Sequence, residues 1–377
     1  MKKILLGSIL HMTKGKKPKA QAAKQEAGFL PYVDIKAFEK RIVDNYASPE
    51  KCLLCQDGDV LIVCDGARSG LVGRAMTGVV GSTLALVSAD GCSNDYLFYF
   101  LQSLYTLLNT KQKGTGTPHL NPDILKKAQL TVPPLPEQER IVAKIEELFS
   151  QLDAAVAELK SVKEKLAIYR QAVLKEAFDK LSTIKIRDIC IHVTDGDHMP
   201  PPKAQLGIPF IMISNIHDNR INWTNTCFVN EQYFKAISEK RIPQRGDVLY
   251  TVTGSFGIPV KIDFDIKFCF QRHIALLRPD QNLVMQDFLY YALQSPAVFL
   301  QASKRATGTA QKTVGLTVLR DLDIPFINDK IQQQSIVLDV ESKLSIYCNI
   351  EQTVDTALQQ AAALRQSILK QAFEGNL

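Results

Sequence analysis

The chain is written twice. Arg170-Gln171-Ala172-Val173-Leu174-Lys175-Glu176-Ala177-Phe178 recurs as Arg365-Gln366-Ser367-Ile368-Leu369-Lys370-Gln371-Ala372-Phe373, identical at six of nine positions and offset by 195 residues. Gln138 and Ile141-Val142 match Gln333 and Ile336-Val337 at the same offset. Toward the N-terminus the offset shrinks. Thr115-Gly116-Thr117 matches Thr307-Gly308-Thr309, and Tyr96-Leu97-Phe98-Tyr99 matches Phe288-Leu289-Tyr290-Tyr291, both at 192. Gly58-Asp59-Val60-Leu61 matches Gly246-Asp247-Val248-Leu249 at 188, and Thr13-x-Gly15 matches Thr194-x-Gly196 at 181. Such a repeat implies one structural plan folded twice. It divides the 377 residues into variable domain 1 (1–135), a constant helix (136–181), variable domain 2 (182–330) and a second constant helix (331–377).

The constant segments read as long helices. Pro133-Pro134-Leu135-Pro136 ends an extended stretch; Pro136 suits a first helical position, and Glu137 and Glu139 suit the positive end of the dipole. Apolar residues then alternate in steps of four and three: Ile141, Ile145, Leu148, Leu152, Ala155, Leu159, Val162, Leu166, Tyr169, Val173. The second helix repeats the seam at Ile336, Val340, Lys343, Tyr347, Ile350, Val354, Ala357, Ala361, Leu364 and Ile368, with Lys343 its one break. About 40 residues at 1.5 Å each give a rod near 60 Å. A narrow heptad stripe requires a second helix to cover it, and the simplest closure is intramolecular and antiparallel, with a variable domain near each end. Two ordinary core helices in separate globular domains are the alternative. The expected fold is α+β: two similar mixed α/β domains separated by an antiparallel coiled coil, with pseudo-two-fold symmetry.

Within each variable domain, Gly-Asp opens a buried strand, at 60–63 and at 248–252. The turns Asp65 to Gly70 and Thr253 to Gly257 follow, and a strand returns at Leu71-Val72 and at 258–262. A helix is expected at 95–108 and at 286–301, then a Gly/Thr loop, a strand and the long helix. Residues 4–10 follow Lys2-Lys3 and resemble the apolar core of a signal peptide, but Gly7 and Ser8 break the run and four lysines follow it. Because this stretch aligns with a domain start, it reads as a strand of a cytoplasmic protein. No run of about 18 apolar residues predicts a membrane span.

Charge is unevenly placed. The net +6 of the chain comes from variable domain 1 (17 basic, 11 acidic) and variable domain 2 (17 and 14), while the helices carry 8 against 9 and 3 against 5. A polyanion partner is therefore expected at the variable domains, though basicity alone does not separate nucleic acid from solvent. Three loops sharpen it. Lys111 and Lys113 precede Thr115, Thr117, His119 and Asn121; Lys304 and Arg305 precede Thr307, Thr309, Gln311 and Lys312. Cations there can meet phosphates, and the amides and hydroxyls can reach base edges. The third is Lys14-Gly15-Lys16-Lys17 with its counterpart Asp197 and His198 in the second copy; Arg68 sits at the first hairpin tip. Turn chemistry and neutral drift would also account for these residues.

Catalytic motifs are missing from the sequence. There is no G-x-x-x-x-G-K-[ST], G-x-S-x-G or H-E-x-x-H, and no Asn/Asp-Pro-Pro-aromatic element of an amino-methyltransferase. Cys52-x-x-Cys55 has half the spacing of a zinc site but no second pair, so the eight cysteines read as reduced thiols.

Pro133 to Val142, the Arg170–Phe178 element and the paired Gly-Asp-Val-Leu hairpins resemble specificity subunits of type I restriction–modification systems, across essentially the whole chain. The resemblance implies two target-recognition domains, each reading half of a split double-stranded DNA sequence. It implies two methyltransferase subunits docked on the helices, at Glu137, Gln138, Arg140, Arg170, Gln333 and Arg365. S-adenosylmethionine is then expected on those partners and no cofactor on this chain, with no catalysis by it; a motor–nuclease subunit can join. Copy two departs by opening Asn328-Asp329-Lys330-Ile331-Gln332-Gln333, without Pro-Glu-Gln. The rival reading is a coiled-coil scaffold that binds protein partners and no DNA.

Overall fold

The computed structural model describes residues 3–113, 118–197 and 201–377. They form two compact units, Met1–Lys160 with Asp355–Leu377, and Ser161–Val354. The long helices are Leu135–Phe178 and Lys330–Glu374, and each contributes one part to each unit.

In the first unit, Leu10–Lys14, Leu84–Ala89, Val60–Val63 and Val72–Arg74 form an antiparallel sheet in that order. Val60–Val63 is apolar throughout because all four residues are buried. A second sheet orders Gln21–Ala22, Tyr46–Ala47, Leu30–Val33, Gly78–Val80 and Leu54–Cys55, with Leu30–Val33 parallel to Gly78–Val80. Lys3–Leu5 pairs with Gln129–Thr131, which leads into the long helix. The core joins Val60, Ile62, Leu97 and Leu101 to Ile141, Ile145, Phe149, Ile368 and Leu369 of the two long helices. Phe373 meets Tyr96 and Phe100 edge-on, each at 5.2 Å. The pairing here is antiparallel: Arg365 lies against Phe149 and Asp153, while Arg140, earlier on the first helix, donates to the carbonyl of Leu377 at 3.2 Å.

The second unit repeats the four-stranded and the two-stranded sheet of the first. Its four-stranded sheet runs Cys190–Asp195, Ile274–Pro279, Val248–Thr251, Pro259–Lys261, and Ser182–Lys185 pairs with Asp323–Phe326. A smaller sheet orders Cys227–Val229, Ile208–Ile211 and Cys269–Phe270, the last two parallel as in the first unit. Leu174, Phe178, Val337 and Val340 enter one core with Val248, Tyr250 and Phe288. Lys343, the break in the seam, pairs with Asp339 at 2.9 Å and with Glu176 of the facing helix at 3.7 Å.

Three expectations need correction. The seam is not dry along its length: Val162, Tyr169, Ile350 and Leu364 are 37–50% exposed, while Ile145, Val173 and Val340 are buried. Burial is deepest where sheets and short helices also pack on the helix. The N-terminal strand is broken by a 3-10 turn at Leu6–Ser8, within which Gly7 sits so close to Lys126 that a Cβ would lie 2.8 Å away. Each predicted short helix is two: Asn94–Ser103 with Tyr105–Thr110, and Gln286–Ala292 with Pro296–Arg305. Pro296 cannot continue the preceding helix, since it has no N–H, but it opens the next.

Candidate nucleic-acid interface

The same loop is docked in the same way in both units. In the first, Lys113 and His119 exchange backbone hydrogen bonds at 2.9 and 2.8 Å, Leu120 N–H donates to Cys64 at 2.8 Å, and Gly66 N–H to Pro118 at 2.8 Å. In the second, Thr307 and Thr313 exchange bonds at 2.9 and 2.7 Å, Val314 N–H donates to Val252 at 2.8 Å, and Gly254 N–H to Lys312 at 2.9 Å. His119 therefore stands in the place of Thr313, not of Gln311. That corrects the sequence register by two residues in this loop. Gly15 and Gly196 confirm the register of the neighbouring strand ends. A Cβ at either would lie 2.3 or 2.0 Å from a backbone oxygen, of Gly81 or of Phe270.

On this shared frame the first unit gathers Lys14, Asp65 and His119. Lys14 Nζ donates to Asp65 Oδ2 at 2.6 Å, and His119 Nδ1 lies 2.8 Å from Asp65 Oδ1. Burial works to raise the Asp65 carboxyl, but hydrogen bonds from Lys14 and His119, and their charge, outweigh it and hold it below the usual carboxylate range. Arg68 pairs with Glu39, and Lys113 with Asp123 at 2.8 Å. Asn121 caps the helix Pro122–Lys127, accepting from Asp123 N–H at 3.2 Å, so its side chain has a structural task. Lys16, Lys17 and Lys111 are exposed and, among the described residues, without an ion-pair partner. Thr115 and Thr117 lie outside the described residues, as does His198.

The second unit places different chemistry at the same positions. Asp195 replaces Lys14 and lies 3.5 Å from Arg241; Thr253 replaces Asp65, its hydroxyl 3.3 Å from that of Thr313. Asp195, Thr253, Gln311, Thr313, Arg272 and His273 line a cavity of about 430 Å³. Asp197 accepts a hydrogen bond from the Tyr233 hydroxyl and borders a second cavity of about 260 Å³, again with Arg272 and His273. Thr307, Thr309, Gln311 and Lys312 are exposed on the docked hairpin, and Lys304 and Arg305 end the helix Pro296–Arg305, Arg305 donating to Asp321 O at 3.0 Å. Sequence reasoning missed the turn Gln271-Arg272-His273, whose Arg272 and His273 line both cavities. The sequence carried no match for it; the backbone bonds of the fold, Cys64 N–H to Thr83 O and Val252 N–H to His273 O, set it against Gly81-Ser82-Thr83.

The residues assigned to partner docking divide. Gln138 and Gln333 are fully buried, and each does the same work. Gln138 accepts from Ser93 N–H at 2.8 Å and donates to Gly91 O and Pro133 O at 2.6 and 2.8 Å. Gln333 accepts from Met285 N–H at 2.8 Å and donates to Leu283 O and Ile327 O at 2.9 and 2.8 Å. With every bond turned inward, neither can serve as docking surface, which corrects the expectation for both. Glu137 and Arg140 form a two-bonded ion pair on the helix surface at 2.8–2.9 Å. Arg365 lies 4.1 Å over the Phe149 ring and pairs with Asp153; Arg170 donates to Gln294 and, at 3.4 Å, to Asn219. The second helix, lacking Pro-Glu-Gln, is capped by Asp329, whose carboxylate accepts from Ile331 N–H at 2.9 Å and Gln332 N–H at 3.3 Å. Hydrogen bonds from Gln332 and Ile331 hold that carboxyl below its ordinary value.

Comparison with known proteins agrees with this duplication. The family model described as type I restriction modification DNA specificity domain matches twice, at residues 1–164 and 180–342. The chain is 23% identical to the type I restriction enzyme MjaVIII specificity subunit of Methanocaldococcus jannaschii, over 85% of this chain and 81% of that one. It is 22% identical to the EcoBI specificity subunit of Escherichia coli, over 100% and 86%. Among solved structures, a chain from a study of complex assembly and conformational transition of the type I R-M system aligns with TM-score 0.77 at 19% identity, covering 100% of this chain and 98% of that one. The HsdS subunit from Thermoanaerobacter tengcongensis aligns with TM-score 0.55 at 20% identity, covering 100% and 97%.

Proposed function

This chain belongs to the type I restriction modification DNA specificity family, as a specificity subunit with two target-recognition domains, and we propose that each domain reads one half of a split sequence in double-stranded DNA. One observation carries the reading. The two units share strand order, loop docking and a buried glutamine, yet differ at the loop side chains, Lys14, Asp65 and His119 against Asp195, Thr253 and Thr313. A fixed frame with exchanged tips is what reading two unlike half-sites requires. Phosphate contacts from Lys16, Lys17, Lys111 and Lys304 hold the register, and the loop tips read base edges.

The long helices set the distance between the half-sites and, through exposed Arg140 and half-buried Glu137, Arg170 and Arg365, dock two methyltransferase subunits. Those partners bind S-adenosylmethionine and methylate adenine in the cytoplasm, where a motor–nuclease subunit can join; this chain makes and breaks no bonds. The test is enrichment of a random-sequence duplex pool on the purified full chain. A motif of two conserved blocks separated by a fixed spacer is expected, with affinity falling as salt rises. A chain that retards no duplex, or retards all sequences alike, sinks the reading.

A further inference from the structure

Resting on that reading, we propose that Arg272 is a base-reading residue of the second unit and that its target is a guanine. The turn Gln271-Arg272-His273 joins Cys269–Phe270 to Ile274–Pro279, and its backbone is clamped from three sides. Gln271 N–H donates to Ile211 O at 3.0 Å, Arg272 N–H to Asp197 O at 3.1 Å, and His273 O accepts from Val252 N–H at 2.9 Å. Ile274 N–H closes the turn onto Gln271 O at 3.1 Å. Gly196 is pressed so closely on it that a Cβ there would lie 2.0 Å from Phe270 O. The backbone under Arg272 is thus held from several elements, and only the side chain is left to move.

That side chain is exposed, borders both cavities of this face, and has no ion pair or hydrogen bond among the described residues. The neighbouring carboxylates are engaged elsewhere: Asp197 with Tyr233, Asp195 with Arg241. Burial, with the Arg272 charge added, holds His273 below its ordinary range, so the imidazole adds no charge to the turn at neutral pH. An unpaired guanidinium on a rigid turn beside the docked hairpin 307–313 presents a planar fork of donors outward. The acceptor pair that matches it on a duplex is O6 and N7 of guanine in the major groove. In the first unit the same clamped turn, with Gly81 N–H on Val33 O at 2.9 Å and Thr83 O accepting from Cys64 N–H at 2.8 Å, carries only Gly81-Ser82-Thr83. The guanine contact therefore belongs to one half-site alone.

The experiment enriches a random-sequence duplex pool on the full chain as wild type, R272A and R272K, and sequences the bound fraction. Wild type is expected to yield two blocks with a guanine in one. R272A keeps both blocks and loses preference at that guanine by about 10- to 100-fold. R272K, a point charge without a fork, restores overall affinity more than base preference. Unchanged preference at every position in both variants overturns the assignment. So does a uniform loss of affinity with a shallower salt dependence, which marks a phosphate contact. A wild-type chain that enriches no motif removes the DNA reading itself and this assignment with it.

Discussion

Two residues show how far a side chain can be read from sequence. Gln138 and Gln333 were visible as a repeated letter, but a repeated polar letter does not say whether it faces in or out. Each ties the start of its long helix to the loop before a short helix with two hydrogen bonds, and to the residue five or six places before it with a third. Gln138→Leu keeps the volume and takes their side-chain partner from one backbone N–H and two carbonyls, that of Pro133 buried and those of Ser93 and Gly91 less so. A loss of about 3 kcal/mol is expected in denaturant unfolding of the first unit, since each orphaned group costs about 1–3 kcal/mol and relaxation recovers part. Gln333→Leu should do the same to the second; an unmoved midpoint for either would show that the network carries no stability. Asp65 gives a pH signature. Its folded carboxyl lies below the unfolded value, so its contribution is present above about pH 4 and is lost as pH falls through the lower folded value. Asp65→Asn should therefore flatten the acid limb of a stability-against-pH curve without altering its alkaline side.

Elements were legible where a single physical demand shaped them. Val60–Val63 and Val248–Thr251 are buried on both faces, so their apolar runs announced strands. The long helices announced themselves by an uninterrupted heptad. What the heptad hid was its uneven burial, because spacing records which side faces a neighbour and not how closely the neighbour comes. The loop register was hidden for a related reason: Gly and Thr are common in turns, so a three-letter match chose the wrong frame by two residues, and the backbone bonds of Lys113 with His119, Thr307 with Thr313, and at Leu120 and Val314 fix it. The repeated Ala-Phe at the helix ends was legible as letters and now has a cause. Phe178 packs on Phe288 at 5.4 Å and is 3% exposed, while Phe373, half-buried, packs on Tyr96 and Phe100. Phe178→Ala should destabilise the second unit by about 3–5 kcal/mol. Phe373→Ala should weaken the first by less, because less surface returns to water. Calorimetry of the two variants should shift different transitions. A common shift in both would mean that the units unfold as one body.

At the scale of the whole molecule, both long helices run unbroken from one unit into the other, and they pair antiparallel within each. If they set the spacer between half-sites, changing their length must change the spacer in a calculable way. One heptad inserted after Lys160 and one after Val354 keeps the seam in phase on both helices and adds about 10 Å. That is about three base pairs at 3.4 Å each. Three base pairs also turn the duplex by roughly a third of its 10–10.5 base-pair repeat. The lengthened chain must then meet its second half-site on the wrong face or strain to reach it. Three heptads in each helix add about 31 Å, or roughly nine base pairs, close to one full turn. The three-heptad chain should therefore select a spacer about nine base pairs longer with affinity nearer to wild type than the one-heptad chain shows at its own best spacer. A heptad in one helix only leaves seven residues without a partner and should cost stability without defining any new spacer. Enrichment of a duplex pool with variable spacers separates these outcomes. A spacer unchanged by matched insertions would mean that the half-site distance is fixed by something other than the paired helices.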